Sequence, residues 1–550
     1  MSNYKNFIEQ IIEEDLKNGF KRKELCFRFP PEPNGYLHIG HVKAITLNFE
    51  LGKKYNAPVN LRFDDTNPVK ENSHFVEEIK NNIKWLGYEW SKICYASDYF
   101  EKLYEWAHYL ILNDKAYVDS QTSEQIATQK GTPTNPGTNS PYRNRPKEES
   151  ARIFTEMREG KHEEGTHVLR AKIKMDSQNM LMRDPVMYRI LFKDHHRTGS
   201  KWCIYPMYDW AHGESDYIEK ISHSLCTLEF KPHRDLYEWF LHQLPKENKI
   251  LPKQREFARL NMSYTIMSKR KLSYLIEKKI VSSWDDPRMP TISGMIKRGY
   301  PPNALINFVK KAGIAKRENI IDVSLMEFYV REELNKTCAR VMVVTDEIKL
   351  VIINYPEDKH EILEATNNPE DESQGKRKMI FSKYLYIERE DFRETANRKF
   401  FRLTTGKEVR LKNAYIIKAE NCIKNEKGEV IEVHCTYDPK SKSGSNSEES
   451  QRKVKGTIHW VDINSSIDVN INEYERLFFK EKPDENDDLI KGVNKNSKKL
   501  IVGKSEHFVS SLQIGQKVQF QRKGYYIVDS NEGGVISFNK TVSLRDGWKK

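Results

Sequence analysis

The sequence contains 550 residues, of which 38% are hydrophobic and 31% are charged, and its formal net charge is +12. One hydrophobic core does not organise a chain of this length, so we expect several globular domains. The positive charge favours a polyanionic partner. The alternative explanation is that the excess of lysine reflects the base composition of the genome. The seven cysteines include no pair at zinc-ligand or redox spacing, and no apolar run suits a membrane span or a signal peptide. We therefore expect a multidomain cytoplasmic protein with reduced thiols and no role in a membrane.

The N-terminal region alternates strand and helix patterns. A strand over residues 26–29 leads through a proline-rich turn into a helix that begins near Leu37, and a strand over 59–65 leads into a second helix. This alternation predicts a parallel α/β sheet. Residues 100–206 break the pattern with a turn-rich stretch, and α/β character returns at 207–271. We therefore predict an interrupted sheet with an inserted domain.

The remaining sequence changes character twice. Residues 272–337 are mainly helical in pattern, and short alternating strands bounded by turns dominate from residue 338 to the end. Such a strand-rich region is typical of barrels or sandwiches.

Two histidines stand at the start of the first predicted α/β helix. His38 and His41 are three residues apart, so both lie on one helical face, and Gly40 allows close approach of the backbone. The unpaired N–H groups and the positive dipole of a helix start suit a phosphate chain. Two packed or surface histidines are the alternative. A metal site is not expected, because no third ligand lies at a recognisable spacing.

Two acids end the second predicted strand. Asp64 and Asp65 lie at the carboxyl edge of the sheet, where open α/β sheets bind ligands, so one of them is suited to hold an ammonium group. The structural alternative is that Asp65 or Asn67 caps the following turn through its side chain.

Residues 268–271 form a short, mainly basic run that follows an apolar strand pattern. We predict that it forms a polar, mobile loop whose cations stabilise charge on a transferred phosphoryl or adenylyl group, with a solvated surface face as the alternative. The helix start, the acid and the basic loop together supply the parts of an aminoacyl-adenylation site. We therefore expect His41, Asp64 and Lys269 to share one cavity.

Two segments resemble the signature sequences of the class I aminoacyl-tRNA synthetases. PPEPNGYLHIGH at residues 30–41 contains the HIGH motif, and MSKRK at residues 267–271 resembles the KMSKS motif. Further blocks, among them RFDDTNPVKE and KWCIYPMYDW, are similar to the glutaminyl-tRNA synthetases of bacterial type and extend over nearly the whole chain. The resemblance implies ATP-dependent activation of L-glutamine to glutaminyl-adenylate and transfer to the 3′-terminal adenosine of tRNA(Gln), with release of AMP and diphosphate.

The same resemblance implies an architecture. A Rossmann-type sheet is interrupted by an insertion that binds the acceptor stem, and a helical subdomain and two anticodon-binding β-barrels follow. A monomer is expected. The implied boundaries are 1–99 and 207–271 for the two halves of the catalytic domain, 100–206 for the insertion, 272–337 for the helical subdomain and 338–550 for the barrels, with a distal barrel at about 396–474.

The resemblance also implies site residues by position. His38, His41 and Lys269 are the implied catalytic residues, ATP is expected as its magnesium complex, and no protein-ligated metal is expected. The implied ATP contacts are Glu32, Pro33, Asn34, His38, Ile39, Gly40, His41, Val42, Lys43, Ala44, Thr227, Arg259, Leu260, Met267, Ser268 and Lys269.

For the other two substrates the resemblance implies separate sites. Asp64 would take the α-ammonium of glutamine and Tyr208 would read its carboxamide, with Arg28 and Gln254 nearby. Anticodon contacts are implied at Arg340, Arg402 and Gln519.

The sequence departs from the better-known bacterial pattern in its tRNA contacts. Lys231 and Pro232 replace an acid that contacts the acceptor stem, Pro133 replaces a leucine that separates the terminal base pair, and Phe401 replaces a basic anticodon contact. These changes fall on tRNA contacts and leave the activation chemistry intact.

Three other functions compete with this interpretation. A glutamate-specific synthetase with barrels would need a cation where Tyr208 and Gln254 stand, because its pocket must neutralise a second carboxylate. A small adenylyltransferase would have no use for the insertion or for the terminal strands. A non-catalytic tRNA-binding relative is expected to lose signature residues, and both signatures are intact here.

Overall fold

The computed structural model describes residues 5–245, 250–485 and 488–546. The chain divides into two compact units, which are described separately: Met1–Asn261 with Val309–Ile321, and Met262–Phe308 with Asp322–Lys550. Among the described residues, no helix combines the length and the apolar character needed to cross a membrane.

The first part of the chain contains eight helices and ten strands within the described residues. In chain order they are α1 Phe7–Lys17, β1 Phe27–Phe29, α2 Ile39–Tyr55, β2 Val59–Phe63, α3 Ser73–Trp85, β3 Lys92–Tyr95, α4 Phe100–Leu112, β4 Ala116–Asp119, α5 Ser123–Gln129, α6 Lys147–Arg158, β5 Val168–Ala171, β6 Val186–Ile190, β7 Ile204–Pro206, α7 Tyr208–Ile218, β8 His223–Thr227, α8 Arg234–Gln243, β9 Lys253–Phe257 and β10 Asn261–Met262.

An α/β layer of five strands forms the centre of the first unit. β1 pairs with β2, β2 with β3, and β8 with β9, each pair in parallel. β8 lies beside β1, where the N–H of Ser222 donates to the carbonyl of Cys26 at 3.0 Å. The strand order is therefore β3-β2-β1-β8-β9, and every residue of β2 is buried, as in a strand covered on both faces. The predicted interrupted α/β sheet is confirmed.

The insertion between β3 and β8 contains its own antiparallel sheet. Its strands follow the order β4-β5-β6-β7, and each neighbouring pair is antiparallel. Leu103 of α4 and Phe154 of α6 belong to the same buried core as Trp210 of α7 and Phe240 of α8. The insertion therefore shares one hydrophobic core with the helices that resume the α/β layer, so displacing it would disturb those helices.

A buried ion network joins the two halves of the layer. The carboxylate of Asp216, on α7, accepts hydrogen bonds from Arg28 Nε of β1 at 2.9 Å and from Arg62 Nη1 of β2 at 2.6 Å. The hydroxyl of Tyr237, on α8, donates to the other oxygen at 2.9 Å. All three ionic side chains are at most 1% exposed. Burial opposes the charge on Asp216, yet the two guanidinium groups hold the pKa of this carboxyl well below its usual range.

The rest of the chain contains five helices and nineteen strands within the described residues. They are α9 Lys269–Glu277, α10 Ile292–Arg298, α11 Pro302–Ala312, β11 Ile320–Ile321, α12 Val323–Thr337, β12 Ala339–Val341, β13 Val343–Val344, β14 Glu347–Ile352, β15 Glu361–Thr366, β16 Lys376–Phe381, β17 Tyr384–Glu388, β18 Phe392–Arg393, β19 Leu403–Thr404, β20 Glu408–Leu411, β21 Ile416–Lys424, β22 Val430–Tyr437, α13 Glu448–Gln451, β23 Thr457–Ile458, β24 Trp460–Asp462, β25 Ile467–Tyr474, β26 Lys498–Ser505, β27 Lys517–Phe520, β28 Gly524–Glu532 and β29 Val535–Ser543.

Two seven-stranded, barrel-like sheets dominate the second unit. One has the order β12-β27-β28-β29-β25-β26-β13 and the other the order β23-β20-β21-β22-β14-β17-β24. Each encloses a separate hydrophobic core, with Phe520 and Phe538 in the first and Phe381 and Trp460 in the second. The barrels predicted for the C-terminal region are confirmed. The second sheet begins at β14, before residue 396, where the distal barrel was predicted to start.

We predict that Asp216→Ala lowers the free energy of unfolding of the first unit by about 3–5 kcal/mol, because it leaves the buried guanidinium of Arg28 without its carboxylate partner and leaves Arg62 with Glu219 at 3.3 Å. Urea unfolding measures this change. The matched control is Glu77→Ala, which removes an ion pair with Lys80 whose glutamate side chain is 64% exposed, and it should have little effect. Equal effects of the two variants would contradict the structural importance of Asp216.

Candidate active site

The start of α2 presents both signature histidines. His38 is the N-terminal cap, where its Nδ1 accepts from the N–H of Gly40 at 3.1 Å, and His41 Nδ1 accepts from the N–H of His38 at 3.0 Å. The ring centroids are 4.0 Å apart. Burial lowers the pKa of His41 to about 4 and that of His38 well below its usual value. Both rings are therefore neutral at pH 7, and since each Nδ1 is an acceptor, each Nε2 carries the proton and can donate to an anion.

Lys43, predicted to contact ATP, lies one turn into α2. Its side chain is 3% exposed, and its ammonium donates to the carbonyl of Ala258 at 2.7 Å. Burial lowers its pKa to about 8. This hydrogen bond ties α2 to the end of β9, so Lys43 has a structural contact in addition to any contact with a nucleotide.

The other predicted ATP residues of the first unit lie around the same strand ends. Asn34 donates to the carboxylate of Glu32 in the turn before α2, and Thr227 Oγ1 donates to Glu229 at 2.7 Å at the end of β8. Arg259 pairs with Glu318 at 3.4 Å. Pro33, Ile39, Val42 and Leu260 are buried, and Gly40 and Ala44 are half-buried. The structure therefore places this group between the turn after β1 and the ends of β8 and β9.

Asp64 lies directly after β2, with 4% of its surface exposed. Its backbone N–H donates to the carbonyl of Pro31 at 3.0 Å, which ties the Asp64 turn to the turn before α2. Burial raises the pKa of Asp64 to about 7, with Glu32 and Asp65 adding to the effect and Arg62 opposing it. A buried carboxyl of this kind is stabilised in its ionised form when a cation arrives.

Tyr208, the first residue of α7, borders the same region. Burial and then the charge of Asp64 raise the pKa of Tyr208 well above its usual value, so its hydroxyl stays protonated. Its ring lies 5.5 Å from the ring of Phe230. Gln254 of β9 is 2% exposed, and its Nε2 donates to the carbonyl of Phe230 and to Glu256, both at 2.9 Å. Tyr208, the predicted reader of the carboxamide, and Gln254, predicted to lie nearby, thus meet at Phe230.

Arg28, predicted to lie near glutamine, is fully buried. Besides Asp216, its guanidinium donates to the carbonyl of Leu225 at 2.9 Å and to the hydroxyl of Ser224 at 2.7 Å. The charge of Arg28 is therefore matched by Asp216 rather than directed to a ligand.

His212 is a site residue that the sequence reasoning missed. Its ring stacks on Tyr208 with the centroids 5.0 Å apart, and its Nε2 lies 3.1 Å from Arg28 Nη2. Its Nδ1 is buried and has no hydrogen-bond partner among the described residues. Burial lowers its pKa to about 3, so the ring is neutral. The four-residue spacing from Tyr208 on one helix was the available signal.

Asp65 has a structural role, in agreement with the structural alternative given for it. However, the segment that it caps is the one at Ser97. Its oxygens accept from the N–H and hydroxyl of Ser97 at 2.8 and 2.6 Å, rather than from the following turn. Asp65, His195 and His196 each place a possible metal-ligand atom within 4.8 Å of the others. However, His195 Nε2 already donates to the carbonyl of Asp65 at 2.8 Å, and both Asp65 oxygens are occupied by Ser97. The cluster is a hydrogen-bonded junction.

The second signature lies in the second unit, and its predicted loop conformation is wrong. Lys269, Arg270 and Lys271 form the first turn of α9, and Ser268 occupies its N-terminal cap position. Leu272 and Leu275 of α9 are buried, and this three-residue apolar spacing explains why a helix forms. The side chains of residues 268–270 are exposed, and Met267 is half-buried. The expectation that Lys269 shares a cavity with His41 and Asp64 stays a prediction.

Two of the three predicted anticodon residues are neighbours. Arg340 of β12 pairs in parallel register with Gln519 of β27. Arg340 Nη2 donates to Asn335 Oδ1 at 2.9 Å, and Gln519 Nε2 donates to the hydroxyl of Tyr525 at 2.9 Å. Arg402 lies elsewhere in the second unit, where its Nε is 3.3 Å from Asp391. The structure joins the first two residues through one polar cluster.

The residues that depart from the bacterial pattern are all exposed. They are Pro133, Lys231, Pro232 and Phe401, and 54% of Phe401 is accessible. Lys231 lines a cavity of ≈ 320 Å³ whose rim also carries Arg234, Arg255 and Lys316. Glu256, the acid in the lining, binds Arg234. It therefore does not match the other three cations, which are Lys231, Arg255 and Lys316. This rim is suited to an anionic partner.

The sequence matches three models of one family. Residues 24–336 match the catalytic domain of the class I tRNA synthetases (E and Q), and residues 338–438 and 457–529 match two anticodon-binding domains of the same synthetases. Among solved structures, a glutamate tRNA ligase from Elizabethkingia meningosepticum is 18% identical over 57% of this chain and 70% of that chain, with a TM-score of 0.43.

Whole-chain relatives are much more similar. A glutamine–tRNA ligase of Clostridium perfringens is 51% identical over 99% of this chain and 98% of that protein. Those of Clostridium kluyveri and Rhodopirellula baltica are 48% and 50% identical, over 100% and 99% of this chain and 98% and 90% of the relatives. This chain belongs to the class I tRNA synthetases for glutamate and glutamine.

Proposed function

We propose that this chain is a glutamine–tRNA ligase, which activates L-glutamine with ATP and transfers it to the 3′ end of its tRNA. The observation that carries the proposal is the charge of the pocket beside Tyr208. Asp64 is the acidic residue of this pocket. The guanidinium of Arg28 is bound to Asp216, so its charge is used within the protein. Tyr208, the proposed reader of the carboxamide, and Gln254 beside it are both uncharged. The pocket therefore suits an amino acid with a positive α-ammonium and a neutral side chain.

Glutamate fits these residues less well. Its second carboxylate would need a cation or lose its charge on burial, and the Arg28 guanidinium is already paired with a buried acid. A carboxamide both donates and accepts hydrogen bonds, so the protonated hydroxyl of Tyr208, which can do the same, suits it. This electrostatic difference favours glutamine.

The start of α2 supplies the groups for adenylate formation. In this step a carboxylate oxygen of glutamine attacks the α-phosphorus of ATP, the bond to the β-phosphate breaks and diphosphate leaves. The Nε2–H groups of His38 and His41 and the helix dipole stabilise negative charge on the phosphate oxygens in the transition state. Lys269 adds a cation by its resemblance to the KMSKS lysine. ATP is taken up as its magnesium complex.

The second step uses the tRNA. The terminal ribose hydroxyl attacks the carbonyl carbon of the adenylate, and AMP leaves. The insertion, which shares a core with α7 and α8, receives the acceptor end. The basic rim around Lys231, which lies outside the insertion, is a second surface suited to the RNA backbone. Arg340 and Gln519 read anticodon bases, whose pairing edges are exposed when they unstack. Arg402 contacts the anticodon from the other barrel.

The direct test is side-by-side charging of tRNA transcripts with radiolabelled glutamine and glutamate. We expect glutamine to be preferred by at least about 100-fold in kcat/KM, because a pocket built to hydrogen-bond one side chain leaves its polar groups unpaired with another. Preferential attachment of glutamate would refute the proposed specificity, and failure to charge either amino acid would refute the proposed activity.

Glutamine binding should depend on pH through Asp64. Its pKa is raised to about 7, so the carboxyl is mostly neutral at pH 6 and mostly ionised at pH 7.5, and only the ionised form pairs with the α-ammonium. We expect KM for glutamine to fall by roughly eight-fold between pH 6 and pH 7.5, as the ionised fraction rises. KM for ATP, measured in the same exchange assay with tRNA present, is the internal control. A flat glutamine profile would contradict the assignment of Asp64.

Lys269→Ala should slow adenylate formation by about 100- to 1,000-fold, because a cation that stabilises transition-state charge is lost. Its side chain is exposed, so folded stability should change by less than about 0.5 kcal/mol. Pyrophosphate exchange with tRNA present measures the rate. Arg270→Ala, the next residue of the same helical turn, is the matched control and should retain most activity. Equal losses in both variants would argue against a specific role for Lys269.

A further inference from the structure

We propose that His195, a residue of the insertion, is a positioning residue for the glutamine site, because it holds the backbone of the turn that carries Asp64. The inference rests on the proposed function and adds a residue that does not touch the substrate. It makes the insertion a structural part of the amino-acid site as well as a domain between two halves of a sheet.

Both nitrogens of the His195 ring are used inside the protein. Nε2 donates to the main-chain carbonyl of Asp65 at 2.8 Å, and Nδ1 accepts from the N–H groups of Arg197 and Thr198, both at 3.2 Å. An imidazole with one accepting and one donating nitrogen is neutral and has a fixed tautomer. The residue is 2% exposed, so water does not compete for these bonds. His195 therefore fixes the position of the Asp65 carbonyl.

The segment that carries His195 is held by its own backbone hydrogen bonds. The N–H of His195 donates to the carbonyl of Gly199 at 3.0 Å, and the N–H of Gly199 returns a bond to His195 at 2.8 Å. The imidazole packs edge-on against Phe100 and stacks on Tyr205, with centroid distances of 5.6 and 6.1 Å. The ring thus reaches the Asp65 carbonyl from a rigid base in the core of the insertion.

A neighbouring arginine strengthens the same junction by a second route. Arg197 Nη1 donates to the hydroxyl of Ser97 at 2.7 Å, and that hydroxyl donates to the carboxylate of Asp65 at 2.6 Å. His196 Nε2 also lies 3.3 Å from this carboxylate. The insertion therefore holds the backbone of Asp65 directly through His195, and it supports the side chain of Asp65 through the bond from Arg197 to Ser97.

Asp64 has few restraints of its own. Its backbone N–H is bound to Pro31, and its carboxylate accepts a long bond from the hydroxyl of Thr66 at 3.4 Å. The direction of the Asp64 side chain is therefore set mainly by the path of the backbone through Asp64 and Asp65. A buried carboxylate must meet the ammonium at hydrogen-bond distance, and a displacement of about 1 Å can cost up to 100-fold in rate.

The helix-start part of the ATP site has restraints separate from this junction. The start of α2 is fixed by the bonds between His38, Gly40 and His41 and by the contact of Lys43 with Ala258. Loss of the His195 bond should therefore affect glutamine more than ATP. That asymmetry separates a positioning role from a general role in stability.

The experiment compares His195→Ala and His195→Gln with the parental enzyme in pyrophosphate exchange with tRNA present, varying glutamine and ATP separately. We expect His195→Ala to raise KM for glutamine by about 10- to 100-fold, with KM for ATP within about two-fold. The amide nitrogen of His195→Gln can replace Nε2 as the donor, so this variant should recover most of the affinity. Asp194→Ala, an exposed neighbour in the same segment, is the matched control and should behave like the parent.

The outcomes distinguish this inference from the proposed function. If the parental enzyme charges glutamine but His195→Ala leaves KM for glutamine unchanged, or raises both KM values equally, the positioning role is refuted. The same holds if His195→Gln is no better than His195→Ala when thermal unfolding shows both variants folded. If the parental enzyme does not charge glutamine, the proposed function fails and the inference fails with it.

Discussion

The buried carboxylate of Asp216 is the interaction on which the first unit depends. It pairs with guanidinium groups from β1 and β2, the second of which also binds Glu219, and it accepts a hydrogen bond from a hydroxyl of α8. One side chain of α7 therefore joins elements on both sides of the insertion. Burying two arginines without such a partner would be strongly unfavourable. The network therefore holds the resumed half of the layer in place on the first half. Because the network pairs Arg28 with Asp216, it also determines which charged side chains remain available to bind a ligand.

The consequence for the pocket is electrostatic. Arg28 borders Tyr208 and His212, and an arginine there could have bound a side-chain carboxylate, but its charge is matched within the protein. The histidine beside it is neutral because burial lowers its pKa to about 3. What remains near Tyr208 is the carboxyl of Asp64, whose pKa is raised by burial. The pocket is thus suited to a cationic group at one end and an uncharged side chain at the other, which is the pattern of glutamine.

The sequence predicted the parts of this site whose signals are local. His38 and His41 are three residues apart at a helix start, and Asp64 ends a strand, so spacing alone placed them in one α/β layer. His195 and Asp216 escaped prediction because their partners are 130 and 188 residues away, and no periodicity encodes such a contact. The basic run that contains Lys269 follows an apolar strand pattern and so predicts a polar loop, whereas the buried leucines that follow extend a helix back to it. The strands of the barrels were predictable, but the pairing of β12 and β13 with strands beyond residue 466 was not, since alternation does not specify partners.

These contacts give a physical reason for the position of the insertion in the chain. A domain inserted only to bind RNA could be attached by a flexible linker, and its side chains would not need to enter the α/β layer. Here the insertion shares a hydrophobic core with α7 and α8, and α7 carries Tyr208, His212 and Asp216. Its segment around His195 also binds the turn after β2, next to Asp64. Both ends of the proposed glutamine pocket are therefore supported by the domain proposed to receive the acceptor stem. A displacement of that domain by bound RNA would be transmitted to the amino-acid site through packed side chains and short hydrogen bonds, because close-packed interiors transmit strain.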